Sequence, residues 1–168
     1  SGNLWIGTHS GGLNRFDPSR KKFTCYKNGR NPQTISSNTV HPLCHDHTGT
    51  LWIGTWGGGL SRIDPLNQHT GLYDESSGLS SASVFTLCED RRGDVWIGTL
   101  GRGLNRFVPT TGKFEHFRHD PRNPRSLSND LVSALYEDAR GILWIGTGRG
   151  LNREKGWGMI LWSAVFFV

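Results

Sequence analysis

Short apolar segments alternate with turn-forming residues along most of the chain. Where the pattern is clearest, residues 84–90, 94–99, 104–108 and 114–117 are rich in Val, Ile, Leu, Trp and Phe, and Gly, Pro, Asp and Asn separate them. Short segments of this composition, bounded by turn residues, are typical of β-strands. None has the length or the 3.6-residue period of an amphipathic helix. The pattern predicts an all-β chain.

One motif recurs along the chain and organises these predicted strands. Leu-Trp-Ile-Gly-Thr, with Val for Leu in one copy, is followed each time by a glycine turn and then by Gly-Leu-x-Arg. The tryptophans of the four copies are Trp5, Trp52, Trp96 and Trp144. Each full repeat holds four predicted strands joined by short connections, which predicts an antiparallel meander. Meanders that recur every 44 to 48 residues indicate the blades of a β-propeller.

The predicted blades occupy residues 1–153. The first blade lacks its opening strand, and the fourth lacks one residue of its glycine turn and its final strand. We therefore expect a partial β-propeller, an arc of about four consecutive four-stranded antiparallel blades whose first and last members are incomplete. The blade ranges are 1–27 (partial), 39–74, 83–118 and 131–153 (partial).

The end of the chain departs from the repeat. Residues 154–168 form an atypical apolar tail, and a broken gene end or a frameshift would produce such a sequence. We expect the chain to be a segment of a longer protein, with uncovered faces at both ends of the arc. Exposed apolar faces of this kind favour self-association. Closure as a four-bladed ring, with the tail supplying a strand, is the alternative.

Residues that recur in every repeat are interpreted as structural. The four tryptophans are expected to pack between blades, and the arginine that ends each motif is expected to support them. An Asp-x-x-Gly segment precedes three of the motifs, as suits a type I turn in which the carboxylate accepts hydrogen bonds from backbone N–H groups. These arginines and aspartates are Arg15, Arg62, Arg106, Arg153, Asp46, Asp90 and Asp138.

Composition argues against several functions. The net charge of +5 is modest and its basic residues are spread along the chain, so no nucleic-acid partner is expected. Three cysteines cannot form a closed disulfide set, and Cys44 and Cys88 occupy one repeated packing position. His41, Cys44, His45 and His47 fit no common zinc spacing. We predict no metal, no cofactor and no catalytic residue.

Candidate binding residues are those that differ between repeats. The turns between second and third strands lie with the variable connections between blades at one end of the arc, and variable loops on a rigid scaffold favour binding. Trp56 offers a flat apolar face and an N–H donor, and Arg102 and Arg149 suit carboxylate or sulfate groups. The alternative to a binding role is that Trp56 covers the top of a blade or a neighbouring loop. For the two arginines, the alternative is that they are ordinary exposed surface residues. The candidates are Trp56, His9, Arg102 and Arg149.

The ordered motif resembles the two-component-regulator propeller repeat. Residues 84–117 follow that family's pattern almost throughout, and residues 40–73 follow it with Thr70 in an aromatic position. The resemblance covers residues 1 to about 153. It implies a seven-bladed ring in the periplasmic, extracytoplasmic sensor portion of a hybrid two-component histidine kinase.

The resemblance also implies a function and partners. Many members of the family sense oligosaccharides, so the resemblance implies an oligosaccharide as the ligand of a non-catalytic sensor. The remaining propeller blades and the downstream kinase portion of the parent protein are the implied partners. A protein-binding scaffold propeller and a fragment of a polysaccharide-active enzyme are the alternative hypotheses.

Overall fold

The computed structural model describes residues 2–29, 34–64, 70–154 and 159–160. Within these ranges the extended segments form four antiparallel sheets, each a meander of consecutive strands. The helical structure within them is one 3-10 turn, Glu75–Ser77. The predicted all-β, partial-propeller fold is confirmed.

The first sheet has three strands and the other three sheets have four each. The first sheet lacks its opening strand, as the sequence predicts. The strands are β1 Leu4–Gly7, β2 Leu13–Asp17, β3 Lys22–Tyr26, β4 Val40–His45, β5 Leu51–Thr55, β6 Leu60–Ile63, β7 Thr70–Tyr73, β8 Val84–Glu89, β9 Val95–Thr99, β10 Leu104–Val108, β11 Lys113–Phe117, β12 Val132–Glu137, β13 Leu143–Thr147, β14 Gly150–Glu154 and β15 Met159–Ile160.

All four sheets share one register between the two central strands. The motif tryptophan lies opposite the motif arginine in each sheet, although these residues are nine positions apart in the last repeat and ten in the others. The missing residue is absorbed in the β13–β14 turn, where Thr147 pairs with Gly150 across a two-residue loop. A change in turn length at this point leaves the side-chain pairs of both strands intact.

The apolar core lies between neighbouring sheets. Each sheet has a trailing face, which carries the motif tryptophan, and a leading face, which carries the motif isoleucine. Between the second and third sheets, Trp52 and Leu60 of the trailing face pack against Val84, Ile97 and Phe107 of the leading face. Equivalent clusters join the first sheet to the second and the third to the fourth. Coverage of both faces explains why the inner sheets lack a strict alternation of apolar and polar residues.

The outermost faces of the arc are exposed in the described part of the chain. Leu4, on the leading face of the first sheet, is 57% exposed, whereas its counterpart Leu51 in the second sheet is 2% exposed. On β12 of the fourth sheet, Tyr136 is 65% exposed. The three core clusters of the described residues join neighbouring sheets only, and none joins the fourth sheet to the first. Self-association through these faces stays a prediction.

The fourth sheet differs from the partial blade that the sequence predicts. Met159 and Ile160 form β15, which pairs with Glu154 and Arg153 of β14. An edge strand presents unpaired backbone N–H and C=O groups, and a returning segment can satisfy them whatever its side chains are. Two residues of the tail thus supply a short fourth strand; residues 155–158 and 161–168 lie outside the described ranges.

The first strand of each complete sheet lies nearest the centre of the arc. β4 contacts β8, and β8 contacts β12, so these strands succeed one another around a common axis. The turns that follow β5, β9 and β13 share one end of the arc with the connections between sheets, and we call this end the loop face. The turns that follow β4, β8 and β12 lie at the other end, the turn face.

Candidate functional site

Backbone hydrogen bonds hold the loop face rigid. The N–H of Gly59 donates to the Ala82 carbonyl at 2.7 Å, and the N–H of Gly103 donates to the Asp130 carbonyl at 2.8 Å. Each bond ties a glycine turn to the connection that leads into the next sheet. At Gly59, φ is 82° and an added Cβ would lie 2.3 Å from the Tyr73 carbonyl oxygen, so glycine is required there.

Side chains anchor the same connections from below. The Asn105 carboxamide accepts a hydrogen bond from the Ser80 N–H at 2.9 Å, and the Asn152 carboxamide accepts one from the Ser128 N–H at 2.9 Å. Both asparagines are buried. The loop face is therefore a fixed platform on which the variable residues stand.

All four candidate binding residues lie exposed on this loop face. Trp56 is 46% exposed, and the side chains of His9, Arg102 and Arg149 are exposed as well. Among the described residues, no hydrogen bond, ion pair or ring contact joins any two of the four. The candidates thus share a face but do not form one site.

Trp56 instead contacts two aromatic residues of the first strands. Its ring centroid lies 5.5 Å from that of His41 on β4 and 6.3 Å from that of Phe85 on β8, both in edge-on geometry. The His41 and Phe85 rings are 5.5 Å apart. We call Trp56, His41 and Phe85 the aromatic cluster; it bridges the second and third sheets beside the axis.

β-bulges explain how these side chains come together. The β4–β5 pairing shifts register between Val40 and Leu43, and the β8–β9 pairing shifts between Val84 and Thr86. His41 and Phe85 fall within these shifts. An unpaired residue at a bulge is re-aimed relative to the regular pleat, so both rings reach the loop face.

Sequence reasoning missed this cluster. It considered His41 only as a metal ligand and did not consider Phe85. The signal that selected Trp56 was available for both, because the residue after the first-strand valine is His41, Phe85 or Ser133 in the three complete sheets. Trp56 and His41 are exposed and Phe85 is half-buried. An aromatic surface with an imidazole and an indole N–H can stack on a flat apolar face and bind hydroxyl groups at its edge.

The repeated aspartates of the turn face are structural. Asp46 Oδ1 accepts hydrogen bonds from the backbone N–H groups of Thr48 and Thr50, and Asp46 Oδ2 accepts one from the Trp52 indole at 2.8 Å. The Ile142 N–H and then the Trp144 indole hold the pKa of the Asp138 carboxyl below its ordinary value. These carboxylates are committed to the turn and the tryptophan, so they are not available as general acids.

Cys44 and Cys88 are partly buried thiols. Burial raises the pKa of the Cys44 and Cys88 thiols, which lowers their thiolate fraction at neutral pH. All three cysteines are free. Among the described residues, no three His, Cys, Asp or Glu side chains are placed to hold a metal ion.

Turn residues latch each sheet to the next one at the turn face. The N–H of His47 donates to Glu89 Oε2 at 2.8 Å, and its imidazole Nδ1 lies 2.5 Å from Glu89 Oε1. One sheet further on, the Arg91 backbone N–H and guanidinium Nε donate to the two carboxylate oxygens of Glu137 at 2.8 and 2.9 Å. Glu89 and Glu137 are thus occupied by sheet-to-sheet contacts.

The His47 latch predicts a pH-dependent stability. The hydrogen bond and charge of Glu89 raise the pKa of His47 above its ordinary 6.5. A raised folded-state pKa stabilises the fold below pH 6.5, and this contribution is lost as the pH rises through the raised value. We expect His47→Gln to lower the melting temperature at about pH 5.5 and to have little effect at about pH 8.5.

Arg91→Gln is the matched control for this prediction. Its guanidinium makes the equivalent latch but does not titrate in this range, so its loss should lower the melting temperature equally at both pH values. Thermal unfolding followed by circular dichroism measures both effects. A His47→Gln effect that does not change with pH contradicts the assignment of the latch to a charged imidazole.

Family comparison agrees with this geometry. The family model of the two component regulator propeller matches residues 34–57, 78–101 and 126–149. The chain thus contains three two-component regulator propeller repeats. Each matched segment runs from the connection before a first strand, through the Asp-x-x-Gly turn, to the beginning of the glycine turn. No curated protein matches the chain.

Solved structures similar to these propeller repeats include sensor ectodomains. The extracellular domain described as that of a hybrid two-component system from B. thetaiotaomicron is 28% identical with a TM-score of 0.79, over 92% of this chain and 21% of that one. A second such domain from B. thetaiotaomicron is 26% identical with a TM-score of 0.73, over 90% and 21%. The chain therefore spans about a fifth of these domains, and their extracellular location agrees with the extracytoplasmic location predicted from the sequence.

More distant propellers share the fold alone. Virginiamycin B lyase from Staphylococcus aureus is 18% identical with a TM-score of 0.72, over 94% of this chain and 50% of that one.

Among the residues described here, no helix has the length and apolar character needed to cross a membrane.

Proposed function

We propose that this chain is a non-catalytic, ligand-sensing part of a periplasmic propeller in a two-component signalling receptor. Its loop face would bind an oligosaccharide or a related solute. Three propeller repeats and the similarity to extracellular domains of hybrid two-component systems support the sensor class. The observation that carries the ligand proposal is the aromatic cluster, in which Trp56 and His41 are exposed and Phe85 is half-buried.

The chemistry of the cluster suits a sugar. A pyranose ring presents an apolar C–H face and a rim of hydroxyl groups. The Trp56 and Phe85 rings offer apolar area, while the imidazole of His41 and the indole N–H of Trp56 offer polar atoms at the rim. Because backbone bonds fix the loop face, binding would not require costly ordering of a loop.

Signalling requires parts of the parent protein beyond this arc. The exposed leading face of the first sheet and trailing face of the fourth would be covered by the remaining propeller blades. A downstream kinase portion would read the bound state. The chain's share of the related extracellular domains, 21% in both cases, supports this larger context.

An enzyme function has less support. The lyase similarity lies below 20% identity and concerns the fold. The acidic groups that would serve as general acids or bases are engaged in turns and latches, as described for Asp46, Glu89 and Glu137. A protein-binding scaffold would use the same loop face, and the experiment below separates it from a glycan sensor.

The test is a glycan array probed with the labelled chain. We expect binding to a subset of oligosaccharides, and we expect Trp56→Ala to weaken it about tenfold, as follows from the loss of one aromatic contact. Phe85→Ala should weaken it as well. Leu72→Ala is the matched control, because Leu72 is also about half exposed, at 48%, but lies on the outer strand β7.

Two results would contradict the proposal. Binding that Trp56→Ala and Phe85→Ala leave unchanged removes the aromatic cluster as the site. Absence of any glycan binding, together with capture of a protein segment by the loop face, favours the scaffold function instead.

A further inference from the structure

A cavity of about 460 Å³ opens at the turn face, between the second and third sheets. Arg62 and the β4–β5 turn form one wall, and Arg92, Asp94 and Pro109 form the other. This volume falls in the range of small-molecule sites. The cavity is at the opposite end of the arc from the aromatic cluster, so it is independent of the proposed function.

The guanidinium of Arg62 lines this cavity without a carboxylate partner among the described residues. The equivalent arginine of the third sheet, Arg106, is fully engaged: Asp94 accepts from its Nε at 2.9 Å, and Glu115 accepts from another of its nitrogens at 3.2 Å. Within the described ranges, the Arg62 guanidinium lies over the Tyr73 ring, with 6.0 Å between its carbon and the ring centroid. The same repeat position thus carries a paired charge in one sheet and an unpaired one in its neighbour.

The second and third repeats differ at the two positions that supply the acidic partners of Arg106. Thr50 precedes Trp52 by two residues, at the position that Asp94 holds before Trp96. Gly71 lies opposite Arg62 across β6 and β7, at the position that Glu115 holds opposite Arg106. The second repeat therefore has the arginine but neither of the two acids that the third repeat has. A guanidinium without an internal carboxylate partner presents a planar fork of N–H donors that matches the carboxylate of a ligand.

The remaining walls orient a ligand. The Asp46 carboxylate and the Thr50 and Thr110 side chains line the cavity. The Asp46 carboxylate already accepts a hydrogen bond from the Trp52 indole. It would repel an anionic group of a ligand but would accept hydrogen bonds from the ligand's hydroxyl groups. A ligand with a negative group at Arg62 and hydroxyl groups towards Asp46 satisfies both sides. Pro109 adds an apolar wall.

We propose that this cavity is a second binding site, selective for a small hydroxylated molecule that carries a carboxylate. Arg62 recognises the carboxylate. The selectivity depends on the absence of an acid at positions 50 and 71. An acid at either position would give the guanidinium an internal partner and displace the ligand.

The experiment compares two probes that differ only in the required group. D-glucuronate and D-glucose share a ring, and only glucuronate has the carboxylate. Saturation-transfer difference NMR is recorded with the 168-residue chain carrying Trp56→Ala, which removes a contribution from the loop face. We expect glucuronate to bind at least about tenfold more tightly than glucose, the effect of one charge-assisted bidentate contact.

Two variants of this background test the role of Arg62. Arg62→Gln removes the guanidinium, and Thr50→Asp installs the acid that pairs with Arg106 in the third sheet. Both should reduce glucuronate binding to the glucose level. Thr50→Asp replaces one wall residue with the acid found at the same position in the third sheet and should melt no earlier than its parent, so its loss of binding cannot be attributed to unfolding.

The outcomes are distinct from those of the glycan array. Equal binding of glucuronate and glucose overturns the proposal, as does a glucuronate preference that survives in both Arg62→Gln and Thr50→Asp. Neither result bears on the aromatic cluster, which is judged by Trp56→Ala and Phe85→Ala at the loop face.

Discussion

Replacing Trp96 with alanine is expected to lower the free energy of unfolding by about 3–5 kcal/mol, the usual cost of deleting a large buried aromatic side chain. Trp96 is 2% exposed and packs between the third and fourth sheets with Leu104, Val132 and Ile145. Its indole also donates to Asp90 Oδ2 at 2.9 Å. The variant would lose the contacts of Trp96 within this sheet-to-sheet cluster, and Asp90 Oδ2 would lose the indole donor while keeping its contact with Arg92.

Trp144→Ala is the matched control for this effect. Trp144 occupies the same repeat position and bonds Asp138 in the same way, at 3.0 Å, but it is only partly buried because it lies on the outermost trailing face. Its loss should therefore destabilise the chain much less than that of Trp96. Urea unfolding followed by circular dichroism gives both values. Equal losses at the two positions would show that the trailing face of the fourth sheet is covered.

Replacing Arg106 with methionine in the otherwise unchanged chain is expected to lower the free energy of unfolding by about 3–5 kcal/mol, because it leaves the buried Asp94 without its partner. The side chains of Arg106 and Asp94 are 7% and 9% exposed, and the Arg106 guanidinium carbon lies 5.8 Å from the Trp96 ring centroid. The largely buried Asp94 would have to remain charged without its guanidinium partner or take up a proton. Either response destabilises the folded chain.

Arg62→Met provides the comparison, since Arg62 has no ion pair in the described part of the chain. We expect a loss of only about 0.5–1 kcal/mol, the worth of its cation–π contact with Tyr73. The double variant Asp94→Leu with Arg106→Met should recover most of the stability lost in the single variant, because no buried charge remains. Chemical unfolding measures all three. A small effect of Arg106→Met alone would mean that water reaches the Asp94 carboxylate.

These two comparisons use the repeat itself as an internal control. Trp96 and Trp144 have the same sequence environment but different neighbouring sheets. Arg106 and Arg62 have the same strand position but different acids around them. Differences in energy between equivalent residues therefore report the tertiary surroundings rather than intrinsic propensity.

Much of the fold could be predicted from local pattern. The Asp-x-x-Gly turns, the glycine turns and the apolar segments are local signals, and their recurrence implies stacking of identical units. The strand order, the missing opening strand of the first sheet and the separation of loop face from turn face all follow from that periodicity. The strand at Met159–Ile160 did not, because backbone pairing at an edge does not depend on side-chain identity.

The candidate site was predicted in part. Variation between repeats pointed to Trp56, which lies on the loop face, but not to the residues that surround it. His41 and Phe85 reach Trp56 only because bulges in β4 and β8 turn them towards the loop face and because the second and third sheets stack side by side. Recurrence of the motif predicts the stacking of the sheets, but the bulges have no signature within the motif.

The amino-acid sequence by itself determined that one antiparallel unit is repeated, where its turns fall and which residues vary, because hydrogen bonding and turn chemistry act over a few residues. Only the tertiary structure decided which variable residues meet and which repeated charges have partners. Those outcomes depend on contacts between sheets, as for Trp56 with Phe85, and on cross-strand register, as for Arg62 opposite Gly71.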